Sequence, residues 1–315
     1  MLCLKKGSFQ MNNSGFSARI KSLLCALGAL STLLFLAGCN QTQDEPAQAS
    51  DNQWRYLLDS ELSQWDAWMG VPHSTVNGLP EGTYQADNLN VNGDPSDAMG
   101  LNADVKSVFS VTVQNQQPVL HVSGEIYGGL TSKANFENYH LSLQVKWGDK
   151  KWSPRLKAKR DSGLLFHCQG EHGAFWKVWK ACQELQIQES DFGDYIPLAG
   201  PSGTIRSRYQ NEQQFYDPTS EVKNPVKGYS HAHVEPDYQH GQWNTVELYA
   251  LADTAIFVVN DKVVMVVTDS INAQGQPLTS GQLQLQSEGA EVFFRDVKVR
   301  PIKTFPNHIV QEARL

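Results

Sequence analysis

The nine residues YHLSLQVKW, positions 139–147, alternate apolar and polar side chains without a break. Leu141, Leu143 and Val145 share one side of an extended chain; Ser142, Gln144 and Lys146 share the other. A period of two over that length predicts a strand with one face in a core and one wet face. The pattern recurs outward in both directions, at 105–113 (VKSVFSVTV), 119–126, 164–168, 182–189, 245–250, 255–259, 262–267, 282–286 and 291–299. Asn260-Asp261 between two apolar runs is a tight hairpin signal. Helical periodicity is confined to 57–65 and 175–180, and no internal repeat is present. Many short strands with few helices predict an all-β jelly-roll β-sandwich of two antiparallel sheets. Residues 209–241, rich in Asn, Gln, Pro, Tyr and His, read as a long loop over one face.

The N-terminus has a different character. Lys5, Lys6, Arg19 and Lys21 precede any acidic residue, and an apolar run follows from Leu23 to Phe35. That run has the length of a signal-peptide core and is short for a membrane span. It ends in Leu36-Ala37-Gly38-Cys39, which resembles the bacterial lipobox, with Cys39 as the lipidated residue. Asn40 after it implies sorting to the outer membrane, hence an extracytoplasmic lipoprotein. A second Met at position 11 leaves the start open between Met1 and Met11. The expected organisation is a signal peptide at 1–38, lipidated Cys39 with a flexible tether at 39–52, a jelly-roll domain at 53–303 and a C-terminal tail at 304–315. Removal of 1–38 takes four basic residues and no acidic one, so the mature part carries net −11. Such a surface repels phosphate backbones and excludes nucleic acid as a partner. A monomer tethered through Cys39 is expected. Cys168 and Cys182 alone remain free after lipidation, an even pair in an oxidising compartment, which permits a disulfide.

The chemistry is sought first at Glu184-Leu185-Gln186-Ile187-Gln188-Glu189. Glu184, Gln186 and Gln188 share one face, while Leu185 and Ile187 enter the core. A polar row on an apolar strand is costly unless it faces a wet cleft, although a solvent-facing edge strand would carry the same pattern. Glu189 joins the row only through a β-bulge. The spacing E-x-Q-x-x-E also resembles the E-x-D-x-x-E motif of family-16 glycoside hydrolases, with Gln186 in place of the central Asp; that reading makes Glu184 and Glu189 a retaining pair. His167 lies near the start of the Glu184 row if Cys168 and Cys182 pair, and a His near a carboxylate acts as a base at neutral pH. A satisfied structural His is the alternative. His231-Ala232-His233 puts two imidazoles on one side, which could hold a divalent metal; a solvated loop explains them equally. No cofactor is certain. Trp152, Trp176, Trp179 and Trp243 stand beside these clusters as platforms for a sugar ring, or as core.

The chain resembles the 3-keto-disaccharide hydrolase domain family. Trp54-x-x-Leu57-Leu58-Asp59-x-x-Leu62-x-x-Trp65 matches its opening. Gly128-Gly129-Leu130-Thr131, Asp161-Ser162-Gly163-Leu164-Leu165, Glu184-x-Gln186-Ile187, Trp243-Asn244, Val259-Asn260, and Gly281-x-Leu283-x-Leu285-Gln286 with Phe294-Arg295-Asp296-Val297 follow in its order over about 54–301. The resemblance implies a concanavalin A-like jelly roll acting on glycosides oxidised at C3. A C3 ketone acidifies the C2 proton; a base removes it, the C1 substituent leaves, and water adds back. On that reading Glu184 or His167 is the base, Gln186 a catalytic partner, and Gln188, Glu189, Asn244, Trp243 and Trp179 bind substrate. His231 or His233 polarises the carbonyl. The alternatives are a non-catalytic carbohydrate-binding surface lipoprotein and the family-16-type glycosidase.

Overall fold

The computed structural model describes residues 53–315; the expectations for the leader, Cys39 and the tether lie outside the described residues. In chain order the first ten strands are β1 (Arg55–Tyr56), β2 (Trp65–Met69), β3 (Gly100–Leu101), β4 (Phe109–Gln114), β5 (Gln117–Val122), β6 (Gly128–Ser132), β7 (Phe136–Glu137), β8 (Tyr139–Lys151), β9 (Asp161–Gln169) and β10 (Ala181–Gln188). The rest are β11 (Tyr195–Leu198), β12 (Ser202–Gln210), β13 (Gln213–Tyr216), β14 (Lys223–Pro225), β15 (Ser230–His231), β16 (Asn244–Leu251), β17 (Thr254–Val259), β18 (Lys262–Ile271), β19 (Ser280–Ser287) and β20 (Ala290–Pro301), before one helix, α1 (Asn307–Ala313).

Two antiparallel layers result, as the alternation predicts, and the fold is the concanavalin A-like jelly roll. The first layer runs β4–β5–β20–β8–β16–β17–β18, with β1 beside the far half of β20. The second runs β3–β2–β6–β19–β9–β10–β11 and continues through β15 and β13 to β12. Strand β12 also pairs with β18, so hydrogen bonding passes from one layer to the other at that edge. The pairing of β13 with β15 is parallel. Leu141, Leu143 and Val145 of β8 are fully buried and meet Leu185, Ile187, Leu283 and Leu285 of the facing layer in one continuous core. Each such side chain contributes about 1.5–3 kcal/mol relative to exposure, which fixes the register of both sheets, because a one-residue slip would turn the apolar set outward.

The expected helix over 57–65 is absent. Asp59 Oδ1 instead accepts the amides of Glu61 and Ser63, both at 3.0 Å, and Leu62 takes φ 52°. A side chain that binds its own following backbone competes with the helix. Residues 175–180 are not helical either: Phe175 and Trp179 bridge, with Trp176 and Lys177 at φ 52° and 62° between them. The strand expected from 105 starts only at Phe109, because Asp104 accepts the amides of Val108 and Phe109 at 2.8 and 2.9 Å. The wet side of β8 is partly covered, with His140 stacked on Tyr249 and tilted against Trp54. The supposed tail contains α1, which buries Ile309 and Ala313 and accepts the Val263 amide on Glu312 at 3.0 Å. The loop at 209–241 contributes three short strands that extend the second layer.

Candidate active site

Strand β10 places Glu184, Gln186 and Gln188 on the outer face of the second layer, with Leu165, Gly163 and Asp161 of β9 directly opposite them. That face is not an open groove along its length. Val71, Leu89, Tyr127, Val178 and Trp179 form a second apolar cluster with Leu165, Cys168, Cys182 and Leu198, and this cluster roofs one end. Glu184 is 3% exposed and Gln186 5%. Beside them Arg155 makes ion pairs with Asp161 and, at 3.1 Å, with Glu288. Two carboxylates therefore share one guanidinium, with Glu184 buried nearby. Burial pushes Glu184 and Glu288 well above the ordinary carboxylate range and takes Asp161 up to about 6. The Gln286 Oε1 atom has no hydrogen-bond partner and stands over Gly163 beside Glu184 Oε1. Burial and the Asp161 charge favour a protonated Glu184, against the opposing hydrogen bond from the Gln286 side chain. Neither Glu184 nor Gln186 is placed to touch a substrate in this arrangement; Gln188 is.

Gln188 connects the buried cluster to an open pocket of about 770 Å3. Its Nε2 donates to Asp161 Oδ2 at 2.5 Å, and its half-exposed side chain lines the pocket wall. The turn from β10 to β11 carries Asp191 and Asp194. It needs Gly193, which has φ 88° and whose absent Cβ would fall 2.3 Å from Val264 Cγ2. Asp194 is fully buried; its Oδ1 accepts the Ala232 amide at 2.6 Å and its Oδ2 lies 3.0 Å from His231 Nδ1. The short strand β15, paired with β11 on one side and β13 on the other, brings His231 there. Its ring stacks on Phe215 with centroids 4.7 Å apart. The hydrogen bond that His231 donates to Asp194 raises the His231 pKa against the opposing effect of burial. Opposite, Lys159 Nζ is 2.5 Å from Asp191 Oδ2, and burial raises the Asp191 pKa. Tyr229 and Tyr209 add aromatic surface to the wall. A general base oriented by a buried carboxylate, a nearby ammonium and a carboxyl of raised pKa thus face one solvent-filled space.

The remaining expected site residues lie elsewhere. His167 is 2% exposed, has φ 49° at the bulge in β9, and packs edge-on to Tyr139 and Phe166 inside the core; burial lowers it to about 4, so it does not meet Glu184. Glu189 pairs with Arg160 at 2.7 Å and accepts the Arg160 amide at 2.9 Å; burial alone would raise its pKa, and those contacts lower it. It is turned away from Glu184, so the two do not form a retaining pair. Asn244 belongs to the first layer, where its Oδ1 accepts from Tyr238 N and Asn260 Nδ2 at 2.7 and 2.8 Å. Trp243 holds Arg295 4.0 Å from its ring centre, and Trp179 is core. His233 is separated from His231: its Nδ1 is 3.1 Å from Val264 O, and it meets Tyr216 edge-on. The His-x-His metal pair is therefore not assembled. Ligand atoms of Asp191, Asp194 and His231 do lie within 4.8 Å of one another, with the Lys159 ammonium as the cation beside them. Cys168 and Cys182 form a disulfide, with sulfurs 2.10 Å apart. Lys159, Asp191, Asp194 and Tyr229 were not legible as site residues; D-F-G-D at 191–194 reads only as a turn.

The model of the 3-keto-alpha-glucoside-1,2-lyase-like domain matches residues 53–300. No curated protein matches the chain. Among solved structures, a provisionally assigned glycosyl hydrolase from Parabacteroides distasonis aligns with TM-score 0.43 and 15% identity, over 80% of this chain and 100% of its own. The carbohydrate-binding module CBM66 from Bacillus subtilis aligns with TM-score 0.37 and 12% identity, over 61% of this chain and 91% of its own. The Bacillus licheniformis beta-glucanase gives 0.35 and 9%, over 81% and 100%.

Proposed function

The chain belongs to the 3-keto-alpha-glucoside-1,2-lyase-like domain family, and from that premise we propose that it cleaves 3-keto-glycosides by elimination at C1 followed by hydration. The observation that carries the proposal is the His231–Asp194 pair opening onto the 770 Å3 pocket. His231 Nε2 takes the C2 proton, and Asp194 holds the ring in the required tautomer and stabilises its charged form. Lys159 polarises the C3 ketone and supports the enolate oxygen. The C1–O bond then breaks, and Asp191 supplies the proton to the leaving oxygen. Water adds across the resulting enone, so the sum is hydrolysis. Gln188, fixed from behind by Asp161, orients a substrate hydroxyl. Glu184 and His167 are replaced as candidate bases because both are sealed from solvent. An oxidising reaction upstream must supply the keto sugar.

The leader sequence supports an extracytoplasmic lipoprotein anchored through Cys39, and the disulfide agrees with an oxidising compartment. Incorporation of labelled palmitate, lost in Cys39→Ser, tests the anchor.

The activity is tested by incubating the mature protein with a 3-keto-glycoside and with its unoxidised parent while release of the leaving group is followed. Release from the keto sugar alone, abolished by His231→Gln, is expected. Equal release from the parent overturns the elimination reading. A second reading, a non-catalytic glycan-binding module, draws on Tyr209 and Tyr229, which are 59% and 39% exposed beside the pocket's amides. Binding of both sugars with turnover of neither would select it.

A further inference from the structure

The loops that roof the second layer hold two clefts, of about 240 and 390 Å3, that share Tyr84 as their dividing ridge. We propose that they form a second, non-catalytic site for a neutral glycan, an inference that rests on the carbohydrate reading of the domain. No residue lining them lines the His231 pocket. Together they have the size of an ordinary ligand site.

Tyr84 is 53% exposed although a packed apolar cluster lies next to it. Across the smaller cleft stands Trp176, whose other neighbours fix it: it stacks on Phe175 with centroids 4.7 Å apart, and its amide donates to Asn92 Oδ1 at 2.7 Å. Its backbone and that of Lys177 are both left-handed, a conformation held by the surrounding loops, since Trp68 Nε1 also donates to Lys177 O at 3.0 Å. A rigid, partly exposed indole facing an exposed phenol suits the C–H face of a pyranose, and ordering it on binding costs little. Polar groups suited to hydroxyls flank both rings. Lys177 Nζ pairs with Asp97 Oδ2 at 2.6 Å across the ridge, 6.0 Å from the Tyr84 ring centre, and Asn88 lines the smaller cleft. Asp97 and Glu81 outnumber the single Lys177 in a chain of net charge −7. That balance favours a neutral glycan over a uronate.

The test is electrophoresis of the mature protein in native gels cast with soluble starch, dextran, laminarin or alginate. At least one neutral glycan is expected to retard the wild type. Retardation should weaken at least tenfold in Tyr84→Ala and in Trp176→Ala, and stay unchanged in His231→Gln. Tyr84 is exposed, so its variant folds and keeps turnover of the keto-glycoside, which separates this site from the pocket; a melting curve checks the Trp176 variant. The proposal is overturned if no neutral glycan retards the protein, if alginate retards it more strongly, or if the effect is lost in His231→Gln and kept in Tyr84→Ala. Absence of turnover with retardation intact would instead overturn the catalytic reading and leave this one standing.

Discussion

The buried carboxylate of Asp194 touches His231 Nδ1 at 3.0 Å while its second oxygen holds the Ala232 amide at 2.6 Å. The imidazole is thereby locked with Nε2 toward the pocket. His231→Gln is expected to lower kcat/KM on a 3-keto-glycoside by about 100- to 10,000-fold, the range of a lost general base. Asp194→Asn keeps the shape but removes the charge and the control of the tautomer, so a loss of up to about 10,000-fold is expected. Steady-state rates of the three proteins check both.

The same contact sets the pH dependence. Asp194 raises the His231 pKa above its ordinary value, and a base works when neutral, so the rate should climb above about pH 6.5. In Asp194→Asn the climb moves to lower pH. For stability the sign is opposite: a raised pKa favours the charged folded form, so this contribution is complete below the unfolded pKa and is lost as pH rises through the folded one. A pH–rate profile whose rising limb does not move in Asp194→Asn contradicts the assignment.

Glu184 beside Gln286 gives a prediction of stability rather than rate. Its folded pKa is raised by burial and then by the Asp161 charge, against a hydrogen bond from the Gln286 side chain, so ionisation is resisted and stability should fall as pH rises above the unfolded value. Glu184→Gln reproduces the protonated acid and can donate to Gln286 Oε1. It should raise Tm at pH 8, raise it less at pH 5, and leave the keto-glycoside rate within about twofold, since a group that does not touch substrate contributes no transition-state contact. A lost rate with unchanged Tm would return Glu184 to the site.

The sandwich was legible in sequence because a period of two over nine residues admits no other regular structure, and Leu141, Leu143 and Val145 are buried as that period requires. The polar row of β10 was legible as a row. Its surroundings were not, because the roof over it includes Val71 and Leu89, about 110 and 95 residues earlier in the chain, and periodicity carries no information about such contacts. The helices expected at 57–65 and 175–180 failed to local chemistry: an Asp binding its own turn, and two left-handed residues. His231 was singled out, but beside His233; its partner, Asp194, lies 37 residues earlier in a segment that reads as a plain turn.

Gly163 faces two side chains at once. A Cβ there would lie 2.2 Å from Glu184 Oε1 and 2.4 Å from Gln286 Oε1. Both belong to buried side chains, so Gly163→Ala should destabilise the fold by about 1–3 kcal/mol, as overpacking does. Denaturant unfolding measures it, and a midpoint equal to wild type would show that the buried cluster yields more easily than its packing implies.

The Cys168–Cys182 disulfide spans 14 residues and closes the loop that carries Trp176, Val178 and Trp179 onto the second layer. Constraining a loop of that length limits the unfolded chain and stabilises by about 3 kcal/mol. Cys168→Ala with Cys182→Ala should therefore lower stability by about that amount in denaturant unfolding, and reductant should do the same to the wild type. The two losses should not extend to catalysis. Lys159 precedes β9, Gln188 ends β10, Asp191 lies in the following turn and His231 on β15, all outside the closed loop. Turnover at 25 °C should remain near wild type while glycan retardation weakens, since Trp176 sits inside the loop. If turnover falls with retardation intact, the disulfide acts on the pocket and not on the roof.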